Sequence, residues 1–274
     1  MDGNLFVAFG LTLFAGLSTG LGSLVLLLSK KPSLRVLSVG LGFSCGVMVF
    51  ISLYELLPIS VEELKEGWSE EWGAWVAMGA FFAGIITSAL IDSLVPKPQN
   101  PHEVVPVSEI TAARKESEMG SQESRELGRV GVISALAIAL HNLPEGMATF
   151  VAAMADPVMG LSIAIAVAIH NIPEGIAVAV PIYFATKSKS KAALHSFLSG
   201  LAEPLGGLIV FLFLWSYIDQ ALVGGMLAFV GGIMVFISFD ELLPTAREYG
   251  KGHDAIGGLI VGMAVMAFSL LLLE

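Results

Sequence analysis

The chain has 274 residues, 55% of them apolar and 14% charged, with a mean hydropathy of +0.81 and a formal net charge of −10. This balance excludes an ordinary water-soluble domain and points to an integral membrane protein. The single cysteine, Cys45, lies in an apolar stretch and excludes both a disulfide framework and a zinc knuckle built on thiolates.

A helix that crosses a bilayer needs about 20 apolar residues. Eight stretches meet that length, at 5–28, 34–58, 73–95, 130–154, 158–185, 192–217, 221–244 and 255–273. The first has neither a basic lead nor a small-residue cleavage site, so it is expected to stay in the mature chain as a span. Lysine and arginine concentrate in cytoplasmic loops. Here 13 of the 14 basic residues fall after the first, third, fifth and seventh spans, and only Lys65 falls on the other side. The expectation is a multi-pass protein of the cytoplasmic membrane with both termini outside.

In the second span Cys45, Met48, Ser52 and Glu55 follow a spacing that keeps them on one helix face. Met48 is a candidate soft metal ligand or a methionine filling a gap in the core, and Cys45 is taken as a core residue. The following outside loop carries Glu62, Glu63, Glu66, Glu70 and Glu71, which either raise the local cation concentration or are simply solvated. After the third span, residues 96–129 are rich in Pro, Ser, Glu and Lys and contain one histidine, His102. They are expected to form a flexible cytoplasmic linker.

The fourth and fifth spans carry HNLPEG at 141–146 and HNIPEG at 170–175. His141 with Glu145, and His170 with Glu174, stand four residues apart, so each pair offers an imidazole nitrogen and a carboxylate oxygen to one small volume. At 1.5 Å per residue both pairs lie on the order of 17 Å deep in a core about 30 Å thick. Glu203, in the sixth span, reaches a similar depth. A carboxylate at that depth costs several kcal/mol unless it is paired or hydrated. No Lys or Arg lies in the middle of any span, so the counter-charge is protons or a bound cation. Imidazole, carboxylate and amide oxygens suit Zn²⁺, Fe²⁺ and Mn²⁺, and the lack of several thiolates argues against Cu(I). Asn142 and Asn171, one position round from the histidines, are candidate ligands of a second, adjacent cation. Pro144 and Pro173 free the carbonyls of Leu140 and Ile169 from helical hydrogen bonds. Gly146 and Gly175 allow the two helices to approach closely. His195 and His253 are taken as interfacial.

The chain also repeats itself. GVMVFISLYELLP at 46–58 matches GIMVFISFDELLP at 232–244 in ten of thirteen positions, and GLSTGLGSL at 16–24 matches GLAEPLGGL at 200–208 in five of nine. These pairs stand five spans apart, and an odd offset reverses direction across the bilayer. The expected fold class is therefore all-α and integral to the membrane, with eight helices in a 3+2+3 inverted-repeat arrangement. Its units are residues 1–95, the linker 96–129, the metal-binding helix pair 130–185 and the second repeat 186–274. Inverted repeats place a substrate site near the midplane and allow two mirrored conformations. The uncharged Thr19 is the repeat counterpart of Glu203. Glu55 and Glu241 fall at opposite ends of their spans, either marking two mouths of a path or lying there as plain interfacial carboxylates.

HNLPEGMATF, HNIPEGIAVAVP, GLAEPLGG, the stretch ending ISLYELLP and the closing GMAVMAFSLLLL together resemble the ZIP family of metal-ion transporters, and within it the bacterial zinc transporters, over nearly the whole chain. The resemblance implies eight helices, both termini outside and metal movement into the cytosol. It also implies a binuclear centre, with Glu145, Glu174 and His170 on one cation. Asn142, Asn171, Glu203 and the shared glutamates would hold the other, and His141 matches a ligand position of related members. Two departures stand out. The linker has one histidine where many members have a His-rich loop, and Pro204 follows Glu203 where an apolar residue is more usual.

The expected function is uptake of Zn²⁺, with Fe²⁺ and Mn²⁺ as further substrates, by alternating access at the midplane. Two other readings stay open, a metal exporter on the same scaffold and an intramembrane zinc hydrolase using metal-bound water. The hydrolase lacks an HExxH motif, and the absence of a phosphate loop argues against ATP hydrolysis. The expected partners are divalent cations and the lipid bilayer, with no nucleic acid, no ATP and no organic cofactor. A homodimer is left open.

Overall fold

The computed structural model describes residues 2–28, 34–94, 139 and 142–273, and these are helical nearly throughout. Among them are seven helices long and apolar enough to cross a membrane, so the chain is a multi-pass membrane protein. Residues 130–138, 140 and His141 of the fourth expected span, and the linker 96–129, lie outside the described residues.

The helices are α1 (Asp2–Leu28), α2 (Leu34–Ile51), α3 (Leu57–Gly67), α4 (Gly73–Leu94), α5 (142–155), α6 (Pro157–Thr186), α7 (Lys189–Gly200), α8 (Ala202–Phe213), α9 (Gln220–Ile237), α10 (Leu243–Tyr249) and α11 (Asp254–Leu273). Large apolar side chains such as Phe6 and Leu272, both more than four-fifths exposed, line the outer faces. Such a surface is stable only against hydrocarbon.

The second and seventh spans run past their expected ends at 58 and 244, to Gly67 and Tyr249. Each crosses a proline by widening one turn. At Ser52–Leu56 and at Ser238–Leu242 the helix becomes a π-helix, and the amides of Leu57 and Leu243 reach back five residues to the carbonyls of Ser52 and Ser238. Pro58 and Pro244 follow immediately and have no N–H to give. A single wide turn absorbs the missing bond and lets the helix continue. In both turns the serine hydroxyl donates to a methionine carbonyl one turn earlier, Ser52 to Met48 and Ser238 to Met234, each at 2.7 Å. Lys65, Glu62, Glu63 and Glu66, expected on a loop, therefore lie on α3.

The sixth span is interrupted as well. It breaks at Leu201 between α7 and α8. A proline ring clashes with the carbonyl four residues earlier and disfavours a continuous helix there, and Pro204 places that clash at Gly200. Glu203 consequently sits in the first turn of α8. α6, by contrast, stays helical through Pro173. It starts from an Asp156 cap whose side chain accepts from the Val158 amide at 2.7 Å.

α1 packs against α6, α7 and α8; α2 against α11, α6 and α10; α9 against α4 and α3. The closest approaches come in matched pairs. A Cβ at Gly16 would strike the Gly200 carbonyl, and one at Gly200 would strike that of Gly16. Likewise Gly146 faces the Glu203 carbonyl, while its motif counterpart Gly175 faces that of Thr19. In a bilayer, where lipid is as apolar as the helix faces, such backbone contact through small residues is what holds helices together.

Candidate metal centre

The asparagine, glutamate and histidine side chains expected at the centre are deeply buried wherever they are described. Asn142, Glu145, His170, Asn171, Glu174 and Glu203 are each at most 2% exposed. α5 and α6 bring the two motifs together because only Asp156 separates the helices, and α8 adds Glu203 from the break beside them.

Two polar pairs result. His170 Nε2 stands 3.3 Å from Glu145 Oε2, and its Nδ1 stands 3.1 Å from the Ala166 carbonyl. A backbone carbonyl only accepts, so Nδ1 carries the hydrogen there and a neutral ring turns the Nε2 lone pair toward a carboxylate oxygen. Two acceptors facing each other require a proton or a cation between them. The Asn171 amide donates both to Glu203 Oε1 and, at 3.1 Å, to the Ala15 carbonyl. This leaves its carbonyl oxygen for another partner. Asn142 is held more loosely, its amide lying 3.5 Å from Thr19 Oγ1.

Among the described residues seven buried side-chain atoms have no hydrogen-bond partner, and all seven are oxygens. Six belong to this group: Asn142 Oδ1, Glu145 Oε1, Asn171 Oδ1, both carboxylate oxygens of Glu174, and Glu203 Oε2. Buried polar atoms are nearly always paired, so a cluster of unpaired oxygens in one place is the mark of a missing positive partner. No three described His, Cys, Asp or Glu side chains close tightly enough to form a finished metal cage. The donors stand as pairs, His170 with Glu145 and Asn171 with Glu203.

Met48 is fully buried within the apolar core of α2. Ser44, one turn earlier on the same face, donates to the His170 carbonyl at 3.2 Å, so this face of α2 runs along the ligand-bearing turn of α6. Cys45 is buried and its thiol donates to the Ser238 carbonyl at 3.2 Å. Glu55 and Glu241 sit at equivalent places in the two wide turns and are each half-buried.

The seventh unpaired oxygen, Thr149 Oγ1, was not signalled by either motif. Thr149 lies one turn beyond Glu145 on the same face, where the second motif has Val178. That difference between the two copies was its only trace in the sequence. An unpaired buried hydroxyl costs ~1–3 kcal/mol, so Thr149→Val is expected to raise thermal stability in detergent by about 1 kcal/mol. A fall would show that the hydroxyl has an ordered partner.

The family profile described as ZIP Zinc transporter matches residues 3–270. The chain belongs to the ZIP family. Relatives agree over the full length. Zinc transporter ZupT of Chlorobium chlorochromatii is 52% identical over 272 residues, covering 99% of each chain. Those of Chlorobium phaeovibrioides and Lysinibacillus sphaericus are 54% identical over 270 residues and 50% over 273. They cover 98% of this chain and 99% of the relative in the first case, and the whole of both chains in the second. ZIP membership makes the protein a zinc-transport protein and not an enzyme, which sets the hydrolase reading aside.

Proposed function

We propose that this ZIP-family chain takes up Zn²⁺ into the cytosol by alternating access, with Fe²⁺ and Mn²⁺ as further substrates. The observation that carries the reading is the cluster of six unpaired oxygens beside an imidazole nitrogen that faces a carboxylate. Three carboxylates at bilayer depth with no basic residue among them call for a cation, and the donor types suit a borderline divalent ion. Zinc is the named cargo of the relatives.

His170, Glu145 and Glu174 hold one ion in this reading. Asn142, Asn171 and Glu203, with the shared glutamates, hold the second, and His141 adds a ligand from the middle of the fourth span. The observed pairing of His170 with Glu145 and of Asn171 with Glu203 supports that division. Met48 adds a soft ligand from α2, and Glu55 and Glu241, which the longer helices leave inside their spans and not at the ends, are not assigned to the mouths of the path. An unfinished cage favours transport, because an ion held by a closed shell leaves slowly.

The 3+2+3 inverted arrangement, with both termini outside, is supported by the repeated sequence and by its matched close contacts. Two related halves give two related conformations, each exposing the midplane to one side. The excess of basic residues in alternate loops supports the orientation.

Zinc flux into proteoliposomes holding purified protein in one orientation tests the reading. Saturable entry from the face bearing the termini is expected, above that of empty vesicles. Flux only in the opposite sense would make the protein an exporter, and none at all would remove the carrier reading. Zinc affinity is also expected to weaken in acid, since His170 and the glutamates bind metal only when deprotonated. Calorimetry in buffers of different ionisation enthalpy would register the released protons.

A further inference from the structure

A cleft of about 680 Å³ opens between α2 and α6, and no residue lining it has a polar side chain except Arg35. It falls within the range of small-molecule pockets, ~300–1,000 Å³, and is open along much of its length. Its floor is Gly40, where an added Cβ would just touch Pro173 at 3.7 Å. Its walls include Phe43 from α2 and Ile172 and Ile176 from α6.

Two properties identify the occupant. The walls are apolar and belong to membrane-spanning helices, so the cleft suits a chain of methylenes. At its end Arg35, the second residue of α2, is about three-quarters exposed. Asp254 holds the guanidinium through Nε and Nη2, at 3.1 and 3.0 Å, and thereby fixes its direction. A guanidinium has five N–H donors in a planar fork. Those not taken by Asp254 remain for an oxyanion, and arginine suits phosphate in this geometry. We propose that this cleft binds an anionic membrane phospholipid, one acyl chain lying between α2 and α6 and the headgroup phosphate resting on Arg35.

The site goes beyond the transport reading and does not rest on it. It is nevertheless placed to affect transport. Ile172, Pro173 and Ile176 occupy the α6 face adjoining that of His170 and Glu174, so an acyl chain braces the turn that carries two of the metal donors.

The test uses full-length protein in phosphatidylcholine nanodiscs with a trace of phosphatidylglycerol bearing a diazirine in one acyl chain. After irradiation and digestion, label is expected on residues 36–43 and 169–176. Phosphatidylcholine carrying the same diazirine is expected to label about five-fold less, the effect of one basic residue on an anionic lipid. Arg35→Gln is expected to remove that difference. Gly40→Leu fills the cleft and is expected to cut labelling by either probe several-fold; Val36→Trp, at the rim, serves if that variant does not fold. Label spread over all lipid-facing helices, or unchanged in a folded cleft-filling variant, would overturn the site. Equal labelling of wild type by the two probes would overturn the preference for an anionic lipid and with it the proposal.

Discussion

Proteoliposomes carrying Glu145→Ala together with Glu174→Ala are expected to show no saturable zinc entry, a loss of more than ~100-fold, given that even the outer-shell partners of a bound metal are worth ~10–100-fold. The two carboxylates come from the two copies of one motif, and three of their four oxygens lack a partner. Their removal deletes ligands of both proposed ions. It also removes buried charge that has no compensation in the absence of metal, so the metal-free double variant is expected to be at least as heat-stable as wild type. Zinc is expected to raise the melting temperature of wild type, because a ligand stabilises the state that binds it, and to leave the variant unmoved. Zinc entry at the wild-type rate through the double variant would sink the proposed site. A variant that fails to fold would instead mean that the carboxylates have a structural role that their unpaired oxygens conceal.

A second large effect is expected from a single methyl group. Gly175→Ala places a Cβ against the Thr19 carbonyl, with the Ser196 hydroxyl at 2.9 Å. Ser196 itself donates to the carbonyls of Thr19 and Gly175, at 2.8 and 3.1 Å, so α1, α6 and α7 are tied at this point. Backbone cannot rotate away as a side chain can, and such overpacking costs ~1–3 kcal/mol. Gly79→Ala on α4 is the control, since a Cβ there meets nothing within 4 Å. In a helix with free space alanine is favoured over glycine by ~0.5–1 kcal/mol, so the two substitutions are expected to have opposite signs. Thermal unfolding of both variants in one detergent measures the contrast. Equal effects would mean that the α1–α6 contact is looser than its geometry.

Hydropathy made the spans legible, because a run of apolar residues reports burial in lipid whatever its neighbours are. The centre was legible for a different reason: charged and amide side chains in the middle of such runs are costly, and HNLPEG and HNIPEG set them at helical spacing. What stayed hidden depends on hydrogen bonds and on partners distant in the chain. Pro58 and Pro244 read as ends of spans, since composition does not register that a wider turn lets a helix pass a proline. The break at Leu201 was foreshadowed only by Pro204. Thr19 beside Asn142, and Ser44 on the His170 carbonyl, are separated from their partners by more than a hundred residues. No local pattern points across that distance.

The two wide turns decide where each of these spans can lose a residue. Each holds an extra residue relative to a regular helix, at the same place in two stretches that share ten of thirteen residues. Loss of that extra residue from either copy would return the turn to ordinary helical pitch and leave the stretches on both sides facing as they do now, whereas the same loss elsewhere in the span would swing all that follows by about 100° around the axis.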